Sequence, residues 1–208
     1  TQISPERGGV RGWSRREVLK DARFYLILPV MLAPSYISTG FFFHMAHLVE
    51  SKGWSLTDFT EAYFLYAIVL GVVSLITGSL VDRVGAVRLL PSYMIPQGMA
   101  MLAIAAFDHP GTALIYMLAS GVTVGLRVTI GGALWAEIYG VAHLGGIRAL
   151  ATAFMVFSTA LAPVTMGWWI DMGVTMETIA LGCSVYAALS SLLAWFALRF
   201  RHDRMPAE

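Results

Sequence analysis

Few side chains in this sequence can do chemistry, and most of those that can stand out against apolar surroundings. Arg127, in "VGLRVTIGG", is an arginine inside a long apolar run. A guanidinium stays charged at all relevant pH and holds a carboxylate by two parallel hydrogen bonds, so Arg127 is a candidate anion anchor. The alternative partners are a carboxylate or backbone carbonyls from outside these 208 residues. Tyr36, Gly40, His44 and His47 recur at i, i+4, i+8 and i+11, the spacing of one helix face. Tyr36 and His44 are candidate polar lining for a substrate path, and histidine titrates near neutrality and can relay protons. The bland reading of the histidines is an interfacial belt. Two histidines with no further ligands at their depth do not make a metal site, and Cys183 has no second cysteine to pair with. The acids fall at the ends of apolar runs or between them, so no buried catalytic pair is assembled and an enzyme is not expected. No cofactor is implied.

Between two of the apolar runs lies a charged stretch, "GSLVDRVGAVR", from Gly78 to Arg88. Asp82 and Arg83 sit between two glycines, Arg88 follows the second, and apolar runs flank all three. Gly85 lets the chain reverse with positive φ, and Gly78 is expected to let a helix end approach a neighbour closely. A carboxylate near the bilayer edge needs a cation or a helix N-terminus to offset its desolvation. A contact of that kind, made in only one conformation, acts as a latch. Glu137 and Arg148, in "LWAEIYGVAHLGGIRAL", are candidates for an ion pair or for a triad with Asp82.

The elements that must position these residues follow from composition. The chain is 57% hydrophobic and 13% charged, about half the charge of a soluble domain. Apolar runs at about 24–48, 59–81, 89–107, 112–138, 147–170 and 175–198 are each near the ~20 residues that cross a ~30 Å hydrocarbon core. They are too long and too uniformly apolar for barrel strands, so the expected fold is an all-α membrane protein of six transmembrane helices. Pro29, Pro34, Pro91, Pro96 and Pro163 predict kinks. Small residues make two stripes, Gly121, Gly125, Thr129 and Gly132 in the fourth run and Gly71, Ser74 and Gly78 in the second, that suit close packing. Residues 1–23 read as a basic lead or linker, 24–199 as the membrane domain and 200–208 as a tail. A capping box, Ser14 to Glu17, predicts a helix start just before the first run.

Sidedness comes from the bases. Arg7, Arg11, Arg15, Arg16, Lys20, Arg23, Arg83, Arg88, Arg148, Arg199, Arg201 and Arg204 fall on one side, Lys52 alone on the other, and Arg127 within a span. The bias places both termini and the Asp82 turn in the cytoplasm, in what reads as a bacterial inner membrane. A net charge of +1 with no dense basic patch argues against nucleic acid as a partner.

In that setting "GSLVDRVGAVR" resembles the pattern G-x-L-x-D-R/K-x-G-R/K-R/K of the major facilitator superfamily, which lies in the cytoplasmic turn after the second helix of each six-helix half. Gly78, Leu80, Asp82, Arg83, Gly85 and Arg88 match in place, while Ala86 and Val87 stand where the family often has bases. The resemblance spans roughly residues 20 to 200. It implies a C-terminal half of a twelve-helix carrier that pairs with an N-terminal six-helix half. It also implies a cytoplasmic gate, to which Gly78, Asp82, Arg83, Gly85, Arg88, Glu137 and Arg148 are assigned. "GGALWAEIYG" with "LGGIRAL" looks like the branch of oxalate/formate-antiporter-like and monocarboxylate-carrier-like proteins. The expectation is a secondary carrier in a lipid bilayer, moving a small organic anion by alternating access. The alternative is a sensor or scaffold that keeps the fold and binds without transport.

Overall fold

The computed structural model describes residues 12–199; the first eleven residues and 200–208, with the expected outer lead and tail, lie outside the described residues. Among the described residues every regular element is helical: α1 (Arg15–Val18), α2 (Ala22–Phe43), α3 (Met45–Lys52), α4 (Leu56–Val84), α5 (Ala86–Leu89), α6 (Ile95–Ala106), α7 (Gly111–Tyr139), α8 (Leu144–Asp171) and α9 (Met176–Arg199). Five of them, α2, α4, α7, α8 and α9, are long and apolar enough to cross a membrane. The chain is an integral membrane protein.

The expected third span, 89–107, is not one helix but α5, a run of turns and α6. Pro91 and Pro96 explain the break. Neither has an N–H for the helical ladder, and each disfavours helical geometry in the residue before it. Tighter bonds from Ser92 N–H to the Leu89 carbonyl and from Ile95 N–H to the Ser92 carbonyl, both 3.1 Å, carry the chain across the gap. Pro96 then falls at the start of α6, where a missing N–H costs nothing. The expected first span is likewise divided, because the chain leaves the helix at His44 and resumes as α3.

One of the two prolines inside α2 is repaired by a tyrosine from another segment, and a second tyrosine ties the helix to α9. Pro34 cannot donate to the carbonyl of Val30, and the Tyr93 hydroxyl donates to that oxygen instead. The Tyr186 hydroxyl donates to the Pro29 carbonyl at 3.0 Å. A segment that cannot satisfy its own backbone in lipid is thereby tied to α9 and to the turn before α6.

α4 packs along α7, and small residues set the distance. A Cβ added at Gly121 would stand 2.9 Å from the Tyr66 carbonyl oxygen, and one at Gly125 would stand 2.9 Å from that of Leu70. Thr129 continues the stripe by donating to the Ser74 carbonyl at 3.2 Å. α2 meets α8 as closely at Gly40, where a Cβ would lie 2.3 Å from Met166 Sδ. Gly71 and Gly78 behave otherwise: a Cβ at either meets nothing within 4 Å, so Gly78 makes no close helix contact among the described residues.

Candidate functional site

Arg127 lies two residues from the midpoint of α7, about 3 Å along the axis. One terminal nitrogen donates to Met155 Sδ on α8 at 3.1 Å, and Nε is buried with no partner. No carboxylate among the described residues pairs with it. Four residues earlier on the same face, Thr123 is fully buried and its hydroxyl also lacks a partner. An arginine at this depth costs about 2.5–3.5 kcal/mol on insertion scales, and an unmade bond at Nε adds to that.

The Tyr36, Gly40 and His44 stripe faces α8. The Tyr36 hydroxyl meets Thr165 Oγ1 at 2.5 Å, and the His44 ring nitrogen meets the Pro163 carbonyl at 3.0 Å. Thr165 already donates to the Leu161 carbonyl at 3.0 Å, so Tyr36 is the donor to it. His47 is exposed on α3, off the α2 face. Tyr36 also lines a groove of about 480 Å³ with Trp169, Cys183 and Tyr186, in which Arg127 has no part. The three residues expected to share one substrate path are therefore not gathered in one pocket.

At the arginine-rich end, Gly85 has φ 89° and ψ 144°, a conformation that only glycine adopts readily. This reversal aims the amides of Ala86 and Val87 at Glu137, whose two carboxylate oxygens accept them at 2.7 and 3.1 Å. Glu137 thus fastens the turn to the end of α7. It makes neither the expected ion pair with Arg148 nor a triad with Asp82. Two unpaired amides within reach attract the carboxylate, while the Arg148 guanidinium is held by the Gly132 carbonyl. Asp82, Arg83 and Arg88 are exposed, with no hydrogen bond or ion pair among the described residues.

The same end carries the capping box. Ser14 accepts from Glu17 N–H at 3.4 Å, and its own N–H reaches the Glu17 carboxylate at 2.7 Å. Asp21 then caps α2, pairs with Arg23 at 3.0 Å and accepts from the Tyr139 hydroxyl at 3.1 Å.

Helices of this length, a broken third segment and a glycine-reversed acidic turn docked on the end of the fourth span form one arrangement. A family model described as Major Facilitator Superfamily matches residues 10–208. The chain belongs to that superfamily. Its members are secondary transporters, so this chain's class is membrane transport. No curated protein matches it significantly.

Sequence reasoning missed a second charged site, at the end opposite the superfamily turn. Lys52, 1% exposed at its side chain, bridges Asp108 at 2.5 Å and Glu177 at 2.9 Å, and the Trp54 indole donates to the Asp108 carbonyl at 2.6 Å. Three connections meet there. The available signal was that Lys52 is the one base on the side the charge bias leaves empty; its buried, paired ammonium explains the exception.

Proposed function

We propose that this chain is half of a carrier that moves a small organic anion, a mono- or dicarboxylate, by alternating access, with Arg127 as the fixed charge. The observation that carries the reading is a mid-span guanidinium whose Nε is buried and unpartnered, with no acid among the described residues to neutralise it. A carboxylate bound side-on would satisfy that nitrogen and a terminal one together. Charge-assisted bonds contribute about 1.5–3 kcal/mol, so their loss weakens binding about 10- to 100-fold. Resemblance to the oxalate/formate and monocarboxylate carriers points to the same substrate class.

Asp82, Arg83, Arg88 and Arg148 form the gate of this carrier, with Gly85 and Glu137 holding the turn in place and Gly78 offering a bare helix surface to the other half. Asp82, Arg83 and Arg88, exposed charges with no partner among the described residues, suit contacts that are made and broken as two halves rock. Tyr36 and His44 serve as the hydrogen-bonded hinge between α2 and α8, from which a conformational change can reposition them toward the substrate path. The charge bias favours a bacterial inner membrane with both termini inside.

The test is uptake of labelled carboxylates by the complete carrier in proteoliposomes. Arg127→Leu should abolish uptake, and Arg127→Lys should retain a weakened part of it. Undiminished anion uptake by Arg127→Leu would refute the anchor. Binding that persists in a wild-type protein incapable of uptake would instead indicate a sensor.

A further inference from the structure

A second cavity, of about 300 Å³, opens between α2, α4 and α7. Its walls are largely aromatic. Tyr63 and Tyr66 stack with ring centroids 5.3 Å apart and an interplanar angle of 28°, and Phe42 continues the wall at 6.1 Å from Tyr63. Ser38 and Ser120 supply hydroxyls. The volume is at the lower limit for a small-molecule site, enough for one ring and a short chain.

This cavity is aligned with Arg127. Tyr116 and Ser120 line it, and on α7 the residues Tyr116, Ser120, Thr123 and Arg127 follow at i, i+4, i+7 and i+11. At about 100° per residue all four fall within about 60° of one another. Ser120 and Arg127 are about 10 Å apart along the axis, and helical side chains lean toward the N-terminus, the side on which the cavity lies, while the Arg127 guanidinium rests on Met155 of α8. Thr123 lies between them, with its unpartnered hydroxyl on the same stripe. An aromatic seat, an orphan hydroxyl and an orphan guanidinium nitrogen thus occur in sequence along one helix face.

We infer that the cavity between α2, α4 and α7 seats the ring of an aromatic carboxylate whose acid end runs inward along the stripe to Thr123 and Arg127. This narrows the substrate class and rests on the anion-anchor reading of Arg127. The stacked tyrosines present π faces and edges that recognise a flat ring, whereas a merely apolar pocket would favour a saturated ring of greater area.

The complete carrier distinguishes these readings with three probes: 3-phenylpropionate, 3-cyclohexylpropionate and the uncharged 3-phenylpropionamide, measured by calorimetry. Wild type should bind the phenyl acid about tenfold more tightly than the cyclohexyl acid, the size of one or two good aromatic contacts. Tyr63→Leu, at a half-exposed position that the fold does not require, should bring that ratio near one. Thr123→Val should weaken both acids severalfold without lowering thermal stability, because it removes a hydroxyl that has no partner. Arg127→Leu should abolish binding of both acids. Equal affinity for the two acids, with dependence on Arg127 retained, would overturn the aromatic seat and leave the anchor standing. Amide and acid binding alike, in wild type and in Arg127→Leu, would overturn the anchor while leaving a ring pocket. Failure of all three probes to bind would overturn both.

Discussion

Lys52 shows how much one residue's setting matters. Burial disfavours its charge, but the hydrogen bonds and charges of Asp108 and Glu177 outweigh burial and hold its pKa above the ordinary lysine value. A raised value means that the cluster's stabilisation is complete below about pH 10.4 and is lost as pH climbs through the shifted pKa. Thermal melts should therefore show wild type losing stability at that alkaline limb, and Lys52→Met lacking the limb. The two sides of the cluster are not equivalent. Asp108 is 82% exposed at its side chain and rehydrates when Lys52 is removed, so Lys52→Met should cost only about 1 kcal/mol. The double variant Asp108→Asn, Glu177→Gln strands a buried ammonium and should cost about 3–5 kcal/mol. At the opposite end, Gly85→Ala forces a Cβ into φ 89° and should destabilise by about 1–2 kcal/mol in a denaturation titration.

Glycines that look alike in the sequence divide sharply once the helices are packed. Gly125 abuts backbone, with the Leu70 oxygen 2.9 Å from where its Cβ would stand and Val73 at 3.0 Å. Backbone cannot rotate aside, so Gly125→Ala must push α4 from α7 and should cost about 1–3 kcal/mol. Gly78 faces open space among the described residues. Gly78→Ala should leave melting unchanged or raise it by up to about 1 kcal/mol, the helix-propensity gain. Loss of uptake in that stable variant would locate its functional contact on the other half. The broken third segment follows the same logic. Its two prolines were evident in the sequence, but the hydroxyl that takes the Val30 carbonyl sits 63 residues away in Tyr93.

Across the whole molecule, burial is uneven among the spans. Some 44% of the apolar window is buried in α2 and α7, against 11% in α4 and 17% in α8. Lipid covers exposed apolar helices, so low burial alone does not require protein. However, α4 ends in the superfamily turn, whose charges are unpaired among the described residues, and α8 packs beside Arg127, for which the described residues supply no acid. We expect α4 and α8 to face the other half of the proposed carrier. A cysteine at Leu75, 81% exposed on α4, should cross-link to cysteines scanned through the partner half, whereas one at Leu189, 55% exposed on α9, should react only with lipid-soluble reagents. The reverse pattern would assign the interface to α9.

Composition and order along the chain were enough to read an all-helical membrane protein, the superfamily turn and the place of Arg127 at mid-span. Each of these depends on transfer free energy or local backbone preference, which a residue carries with it wherever the chain goes. Partner choice does not travel in that way. Tyr36 and His44 lie on one predicted face, yet only helix packing turned that face toward α8. Glu137 had two candidate partners, Arg148 and Asp82, and the positive φ of Gly85 delivered two amides to it instead. The Lys52 cluster joins residues 56 and 125 positions apart. Such contacts depend on crossing angles and turn geometry, which are set by the packing of all the helices together, and so only the tertiary structure decided them.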